Sequence, residues 1–396
     1  MRFYDYDKNI IEIGEPLEHL QRILWAGSLT WLSFCRLGCR LGIKIFCSNL
    51  KTCDNIGFMK VICSDIHRLH NPRYKFTNGS RHEIPEIPAR VENIRDILEK
   101  AGFHSMAPSV QGKEPLSNVH STEYLKFLEA VYDVWTERGG NPEGVIPDTF
   151  AFRGGIKHIK KPEILAGHYC FDTSSPIVRG TFQAACSSVD CSLTGADLLL
   201  SGETSAYSLC RPPGHHAGAD YYGGFCFLNN AALAADRLRR DQNRKVAILD
   251  LDYHHGNGTQ DIFYDSDTVF YASLHRDPRD EFPFFWGHQD ETGTGPGEGY
   301  NLNLPLPGGC DEADYLKALD SALSRIVAFE ADYLVVSLGT DTFRGDPLGT
   351  FLLEVESFGR MGKLIKELGI PTLIVQEGGY NVTELGFCVS QFLSAW

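Results

Sequence analysis

Chemistry is most concentrated in the stretch from Ile248 to Gly258, which reads Ile248, Leu249, Asp250, Leu251, Asp252, Tyr253, His254, His255, Gly256, Asn257, Gly258. It follows an apolar run, Val246 to Leu249, of the kind that makes a buried strand. Two carboxylates and two imidazoles then fall within six residues, and a glycine turn closes the stretch. Such groups at the end of a buried strand are costly to desolvate unless they bind something. Asp252 and His254 are two apart, so an extended backbone points both to one side. An Asp oxygen beside a His nitrogen is half of a zinc site. The competing reading is a polar turn whose Asp residues cap the next helix.

The elements that must hold these groups are legible in the same chain. From Met59 onward strands and helices alternate. Strands are expected at Lys60–Ser64, Ala206–Cys210, Val246–Asp250, Thr268–Leu274, Tyr333–Leu338 and Ile370–Gln376. Helices are expected at Pro88–Ala101, Ser121–Glu137, Gly180–Ser201, Asn229–Arg240, Glu312–Phe329 and Glu354–Leu368. Gly139 to Arg179 is long, rich in Gly, Pro and His, and without periodicity; such a loop is functional or mobile. The alternation predicts an α/β fold with a mostly parallel sheet covered on both faces. Ligands of such a sheet sit beyond the carboxyl ends of its strands. The polar clusters obey that rule. Arg211–His216 follows the strand ending at Cys210, and Gly339–Asp341 follows the strand ending at Leu338. Glu377–Tyr380 follows Gln376, and Ser273, Leu274 and His275 end another strand. Any one of them could be a capped loop; together with Asp250–Asn257 they bring His, Asp and Tyr to one edge of one sheet.

Bulk properties narrow the classes of partner. The chain has 396 residues and a formal net charge of −14. That charge argues against a nucleic-acid backbone as the main partner and suits cationic ligands better than anionic ones. The twelve Cys form no regular framework. Cys186 and Cys226 sit in apolar surroundings and read as buried thiols. A reducing compartment, the cytoplasm, is the expectation. Residues 1–58 differ from the rest. Ile23 to Cys35 is apolar and carries two Trp, before Arg36, Arg40 and Lys44 interrupt it. The run is too short to span a bilayer and lacks a secretory cleavage pattern. It reads as a basic amphipathic surface helix, a weak anchor, or sequence upstream of the true start. Cys35, Cys39, Cys47 and Cys53 lie close together, but their irregular spacing does not suit a metal site. A domain boundary is expected at residues 58 and 59.

Asp252, His254 and Asp341 supply one nitrogen and two carboxylates. Three protein ligands leave a divalent metal with open positions, the pattern of a catalytic site. A metal so held polarises a carbonyl and acidifies a bound water. His215 and His216 could then act as general base and general acid. Each imidazole needs a partner that fixes its tautomer, and Asp250 and Asn257 are the natural candidates. An Asp partner raises its His pKa while Asn does so far less, so adjacent histidines could hold different protonation states. Tyr380, on a glycine turn, places a phenol where an oxyanion forms. The implied reaction is metal-assisted attack of water on a carboxamide or ester.

Arg211–His216, Asp250–Gly256, Gly339–Asp341 and Glu377–Tyr380 together resemble the zinc-dependent histone deacetylase superfamily, which shares its fold with arginase. The resemblance runs from about Met59 to the C-terminus. Ser64–His70, Ser208–Ala217, Asn257–Tyr264 and Phe282–Gly293 are most similar to the bacterial acetylpolyamine amidohydrolases. The resemblance implies a three-layer α/β arginase/deacetylase fold, with residues 59–396 as the deacetylase domain and residues 1–58 as an extension. It implies zinc on Asp252, His254 and Asp341, with His215 and His216 as the histidine pair and Tyr380 as the oxyanion donor. Asp250 would support His215; Asn257 would support His216, as in class II and polyamine branches. Phe225 and Phe282 fall where the family places the aromatic walls of a narrow acyl-amine tunnel, and Gly224 is grouped with them as substrate-binding. The competing reading of either Phe is core packing. Potassium is implied at Asp250, Asp252, His254, Ser273 and Leu274, and at a second site of Phe263, Ser266, Val269 and Tyr300.

The chain departs from the polyamine pattern at the tunnel mouth, where two acidic residues are expected. Ungapped counting places them at Glu163 and Ser174, so one is retained and one is not, with Asp172 close enough to substitute. Acetylpolyamines or related small acylated amines are the expected substrates. The alternative is a class II-like protein lysine deacetylase acting on acetyl-lysine peptides. A homodimer through Glu281–Thr294, as in related enzymes, would narrow the rim and favour small substrates. A non-catalytic binding module and a dinuclear manganese hydrolase fit the motif set less well.

Overall fold

The computed structural model describes residues 2–4, 10–12, 59–151, 159, 161–240 and 244–396. The apolar run at Ile23–Cys35 and the four N-terminal cysteines lie outside the described residues. The chain divides into two compact units, Met1–Gly57 and Phe58–Trp396. In the first, strands β1 (Arg2–Tyr4) and β2 (Ile10–Glu12) pair antiparallel.

The second unit is built on an eight-stranded sheet, parallel at every described pairing. Its strands are β3 (Lys60–Ile62), β6 (Ser105–Met106), β7 (Ser205–Ser208), β8 (Val246–Asp250), β9 (Val269–Arg276), β10 (Asn301–Leu306), β11 (Tyr333–Leu338) and β12 (Thr372–Gln376). The order across the sheet is β10-β9-β8-β11-β12-β7-β3-β6. The helices are α1 (Ala89–Lys100), α2 (Thr122–Glu137), α3 (Ala166–Tyr169), α4 (Thr181–Leu200), α5 (Asn230–Arg240), α6 (Asn257–Phe263), α7 (Glu312–Phe329), α8 (Val355–Lys366) and α9 (Leu385–Leu393).

The central strands are continuous apolar runs because both faces are covered. Alternate residues enter opposite cores, as a two-residue period requires. Ala247, Leu249, Leu334 and Val336 pack with α1, α7, α8 and α9 on one face. Val246, Ile248, Val335, Leu373 and Val375 pack with α4 and α5 on the other. Ala231, Ala232, Ala234 and Ala235 of α5 are small enough to lie close against the sheet. Helix starts follow local chemistry: Ser121 accepts from Tyr124 N to cap α2, and Asp311 accepts from Asp314 N to cap α7.

Within residues 59–396 the expectations did not include β6, β10, α3, α6, α9 or a hairpin of β4 (Tyr74–Thr77) with β5 (Ser80–Glu83). Both sheet edges are short or irregular in sequence. β10 carries Pro305, which an edge strand tolerates because one row of N–H groups goes unpaired. The β4–β5 turn has Asn78 at φ 51° and Gly79 at φ 73°, the left-handed pair that suits a two-residue hairpin. The eight described cysteines are free; Cys226 is buried and Cys186 half-buried. Among the described residues no helix is long and apolar enough to cross a membrane.

Candidate active site

The expected clusters leave the carboxyl ends of neighbouring strands, β8, β11, β12 and β7, so the sheet order alone gathers them. Asp252, His254 and Asp341 are buried, with donor atoms all within 4.8 Å of one another. His254 Nδ1 lies 3.2 Å from Asp341 Oδ2 and 3.4 Å from Asp252 Oδ1. Backbone amides aim the carboxylates: Gly378 N donates to Asp252 Oδ2 at 2.8 Å, and Tyr253 N to Asp341 Oδ1 at 3.0 Å. Glycine is required where this happens. A Cβ on Gly378 would sit 2.5 Å from an oxygen of each Asp, and one on Gly339 2.2 Å from Asp252 Oδ2.

The charge balance of this trio fits a cation. Burial, with the Asp252 carboxylate beside it, pushes Asp341 up to about 7. Burial opposes a charge on His254, yet the two carboxylates outweigh it and raise the imidazole to about 10. Burial also disfavours a charged Asp252, but His215 and His254 hold it below the carboxylate range. Two buried carboxylates at this spacing draw in positive charge, and the oxygen–oxygen–nitrogen donor set is one that divalent zinc accepts.

The two histidines that follow β7 are held differently. His215 Nδ1 is 3.1 Å from Asp250 Oδ2, and Tyr271 donates its hydroxyl to the same oxygen at 2.9 Å. His216 Nδ1 is 2.8 Å from Asn257 Oδ1. The amide oxygen can only accept, so Nδ1 carries the proton and Nε2 is the bare nitrogen. Burial depresses both imidazoles. For His215 the Asp252 and Asp250 carboxylates outweigh burial and lift it to about 10. His216, with His215 and His254 as neighbours, falls well below its ordinary value. The rings are 4.0 Å apart, centre to centre, and are driven in opposite directions.

Tyr380 is buried, and burial raises its phenol well above the usual value, so it remains a hydroxyl donor. Its N donates to Asp346 Oδ2 at 2.6 Å. Arg90 of α1 holds the rest of the turn: Nε donates to Gly379 O and Nη2 to Glu377 O, each at 2.6 Å, with the guanidinium 4.9 Å from the Tyr380 ring centre. Glu86 accepts from both Arg90 and Arg211, at 2.9 and 2.7 Å, which ties α1 to the strand-end loop of β7. Glu377 Oε2 accepts from Gly214 N and His215 N at 2.7 and 3.2 Å, and so sets the backbone of the histidine pair.

A cleft of about 480 Å³ opens onto these groups, lined among others by His216, His254, Tyr380, Gly224, Phe225 and Phe282. Phe225 is left-handed at φ 67°, held by its N donating to Ser175 Oγ at 2.8 Å. Gly224 is also left-handed, and a Cβ there would lie 2.2 Å from His216 Cδ2. The Phe282 ring stands 5.0 Å from His216 and 6.1 Å from His254. Glu163 is not among the lining residues: its carboxylate pairs with Arg138, the residue that follows α2, at 3.2 Å. Ser174 and Asp172 do line the mouth.

Of the residues expected at a potassium site, Asp250 faces Ser273 across the β8–β9 register, with Leu274 next in β9. Phe263, Ser266, Val269 and Tyr300 gather elsewhere, where α6 runs into β9. Ser266 N donates to Phe263 O at 3.0 Å, and Tyr271 N to Tyr300 O at 2.9 Å. The sequence reading missed Glu86, Arg90, Asp346 and Ser175. Arg90 carries no sequence signal, because a helical arginine ordinarily faces water. Arg211 and Glu377 did have one, inside the quoted motifs.

Residues 84–396 match the histone deacetylase domain. The chain is 44% identical over 336 residues to an acetylpolyamine amidohydrolase of Mycoplana ramosa, covering 85% of this chain and 98% of that one. It is 45% identical over 331 residues to acetylpolyamine amidohydrolase 2 of Pseudomonas aeruginosa, covering 83% and 96%. The crystal structure of an acetylpolyamine aminohydrolase from Burkholderia pseudomallei superposes with a TM-score of 0.82 at 38% identity, over 85% of this chain and 98% of that one. With these motifs in place on this sheet, the chain belongs to the histone deacetylase domain family.

Proposed function

We propose that residues 59–396 form a zinc-dependent amidohydrolase that removes acetyl or other short acyl groups from amines, acetylpolyamines or related small acylated amines being its substrates. The observation that carries this reading is the convergence of Asp252, His254 and Asp341 beneath a cleft that His216 and Tyr380 also line. The relatives named acetylpolyamine amidohydrolase, similar over nearly their whole length, support the substrate class.

Asp252, His254 and Asp341 would hold zinc, with Asp250, Ser273 and Leu274 contributing to a potassium site beside it. When bound, zinc polarises the scissile carbonyl and lowers the pKa of water. His216, neutral and with Nε2 bare, takes the proton of the attacking water and returns it to the departing amine nitrogen. His215, charged on Asp250, stabilises the negative charge that develops. The Tyr380 hydroxyl donates to the oxyanion from the opposite wall. Phe225 and Phe282 sheathe the acyl-bearing chain and exclude water. A homodimer through residues 281–294 and a cytoplasmic location accord with this reading.

The test is turnover of acetylputrescine against an acetyl-lysine peptide, with and without a chelator. Chelator-sensitive turnover favouring the small amine supports the reading. Preference for the peptide would redirect it to a protein lysine deacetylase, and chelator-insensitive activity would remove zinc from it.

A further inference from the structure

The mouth of the cleft holds three ionisable side chains, Lys75, Asp172 and Glu281. Asp172 is turned inward. Its Oδ1 accepts from Ser174 N at 3.0 Å, and its Oδ2 accepts from Ser174 Oγ at 2.6 Å and from Gly224 N at 2.7 Å. Lys75 is differently placed. Its Nζ stands 5.2 Å from the centre of the Phe225 ring, on the tunnel wall itself. Among the described residues it forms no ion pair. Burial draws its ammonium below the ordinary lysine value, and Asp172 acts against that. The mouth therefore holds a half-buried cation whose nearest counter-charge is hydrogen-bonded elsewhere.

The hairpin keeps Lys75 there. Phe76 N donates to Thr173 O at 3.2 Å, and Thr173 Oγ1 returns a bond to Phe76 O at 3.0 Å. On the other side Tyr74 accepts from Asn141 Nδ2 at 2.7 Å, with the Arg81 guanidinium 3.8 Å from its ring centre. Glu281 Oε1 accepts from Phe282 N at 3.1 Å, and this side chain too forms no ion pair among the described residues.

We propose that Lys75 is a specificity-determining residue that binds a carboxylate on the tail of the substrate. With Glu281 in the same mouth, the enzyme accepts free diamino acids acylated on the side chain, their α-carboxylate on Lys75 and their α-ammonium toward Glu281. It prefers them to matched acylated amines that lack the carboxylate. This inference rests on the amidohydrolase reading above.

Nε-acetyl-L-lysine and N-acetylcadaverine differ only in that carboxylate, and so do their products, lysine and cadaverine. On the zinc-loaded full chain, kcat/KM is expected to favour acetyl-lysine. Lys75→Met should lower the ratio of the two by about fivefold, the upper range for a partly exposed ion pair. The change should appear in KM, because the contact is equal in ground and transition states. Lys75→Arg should keep the preference. Calorimetric binding of lysine against cadaverine should show the same preference and lose it in Lys75→Met. An unchanged ratio in Lys75→Met, or turnover of acetylcadaverine without acetyl-lysine, overturns the role of Lys75. If neither compound nor acetylputrescine is turned over, the amidohydrolase reading falls, and the two binding constants then decide on Lys75 by themselves.

Discussion

The side chains of the site are worth little without the atoms that aim them. Tyr380 is the simplest case. Its neutral phenol has one proton to give, and Tyr380→Phe removes that proton while keeping the ring against Phe225, 5.6 Å away centre to centre. Turnover should fall by about 10²–10³, the effect of losing one oxyanion donor, with an unchanged far-ultraviolet circular dichroism spectrum. Gly378 tests the metal trio instead. Gly378→Ala would push a methyl to 2.5 Å from oxygens of both Asp252 and Asp341. The expected outcome is a folded protein with zinc content well below one per chain, read by elemental analysis after dialysis. Full zinc loading in that variant would remove the trio from the metal site.

At the scale of elements, α1 is the clamp on the Tyr380 turn. Arg90 is fully buried and bonded to two carbonyls of the turn and to Glu86. Arg90→Met should destabilise by about 3–5 kcal/mol, because Glu86 loses one of its two buried cations. Urea denaturation measures that loss. Turnover should fall in Arg90→Met as the Tyr380 turn loosens, and Arg90→Lys should not restore it, since one ammonium cannot reproduce the planar fork on two carbonyls. This clamp also marks where sequence reading stops. The runs at β8, β11 and β12 were legible because burial on both faces leaves them uniformly apolar, and their polar ends stand out. Arg90 was not, because its burial depends on a turn far along the chain. The β4–β5 hairpin bearing Lys75 was equally opaque. An Asn78–Gly79 turn signals a hairpin, but nothing local says that it closes over a cleft. Glu163 illustrates the reverse: counting puts it at the rim, and its 3.2 Å ion pair with Arg138 is a partner that counting cannot see.

The whole molecule carries a pH liability of its own. His120 is buried, its Nδ1 donating to Gly218 O at 2.9 Å and its Nε2 accepting from Asn229 N at 3.0 Å, so it is locked neutral. Burial depresses it to about 4. Burial, with Arg211 nearby, depresses His70 to about 3, so its 3.7 Å approach to Glu86 is not an ion pair at neutral pH. Both folded values lie below the unfolded one, so the unfolded chain binds protons first. Stability from these groups is complete above about pH 6.5 and is lost as pH falls toward 4, by up to about 1.4 kcal/mol per unit for each histidine. The midpoint of thermal unfolding should drop across that window, and less so in His120→Gln if the locked imidazole is responsible. A flat profile between pH 6.5 and 4 would mean that these histidines protonate without cost.

Sheet order has a consequence for biosynthesis. His254 waits 87 residues for Asp341, and Arg90 waits 287 for Glu377. At roughly 5–20 residues per second on the ribosome, α1 emerges many seconds before the turn it clamps. A nascent chain can offer Asp252 and His254 but no third donor, so a stalled or truncated translation product has no place to keep the ion. On the proposed reading, the centre is completed only after Asp341 has left the ribosome.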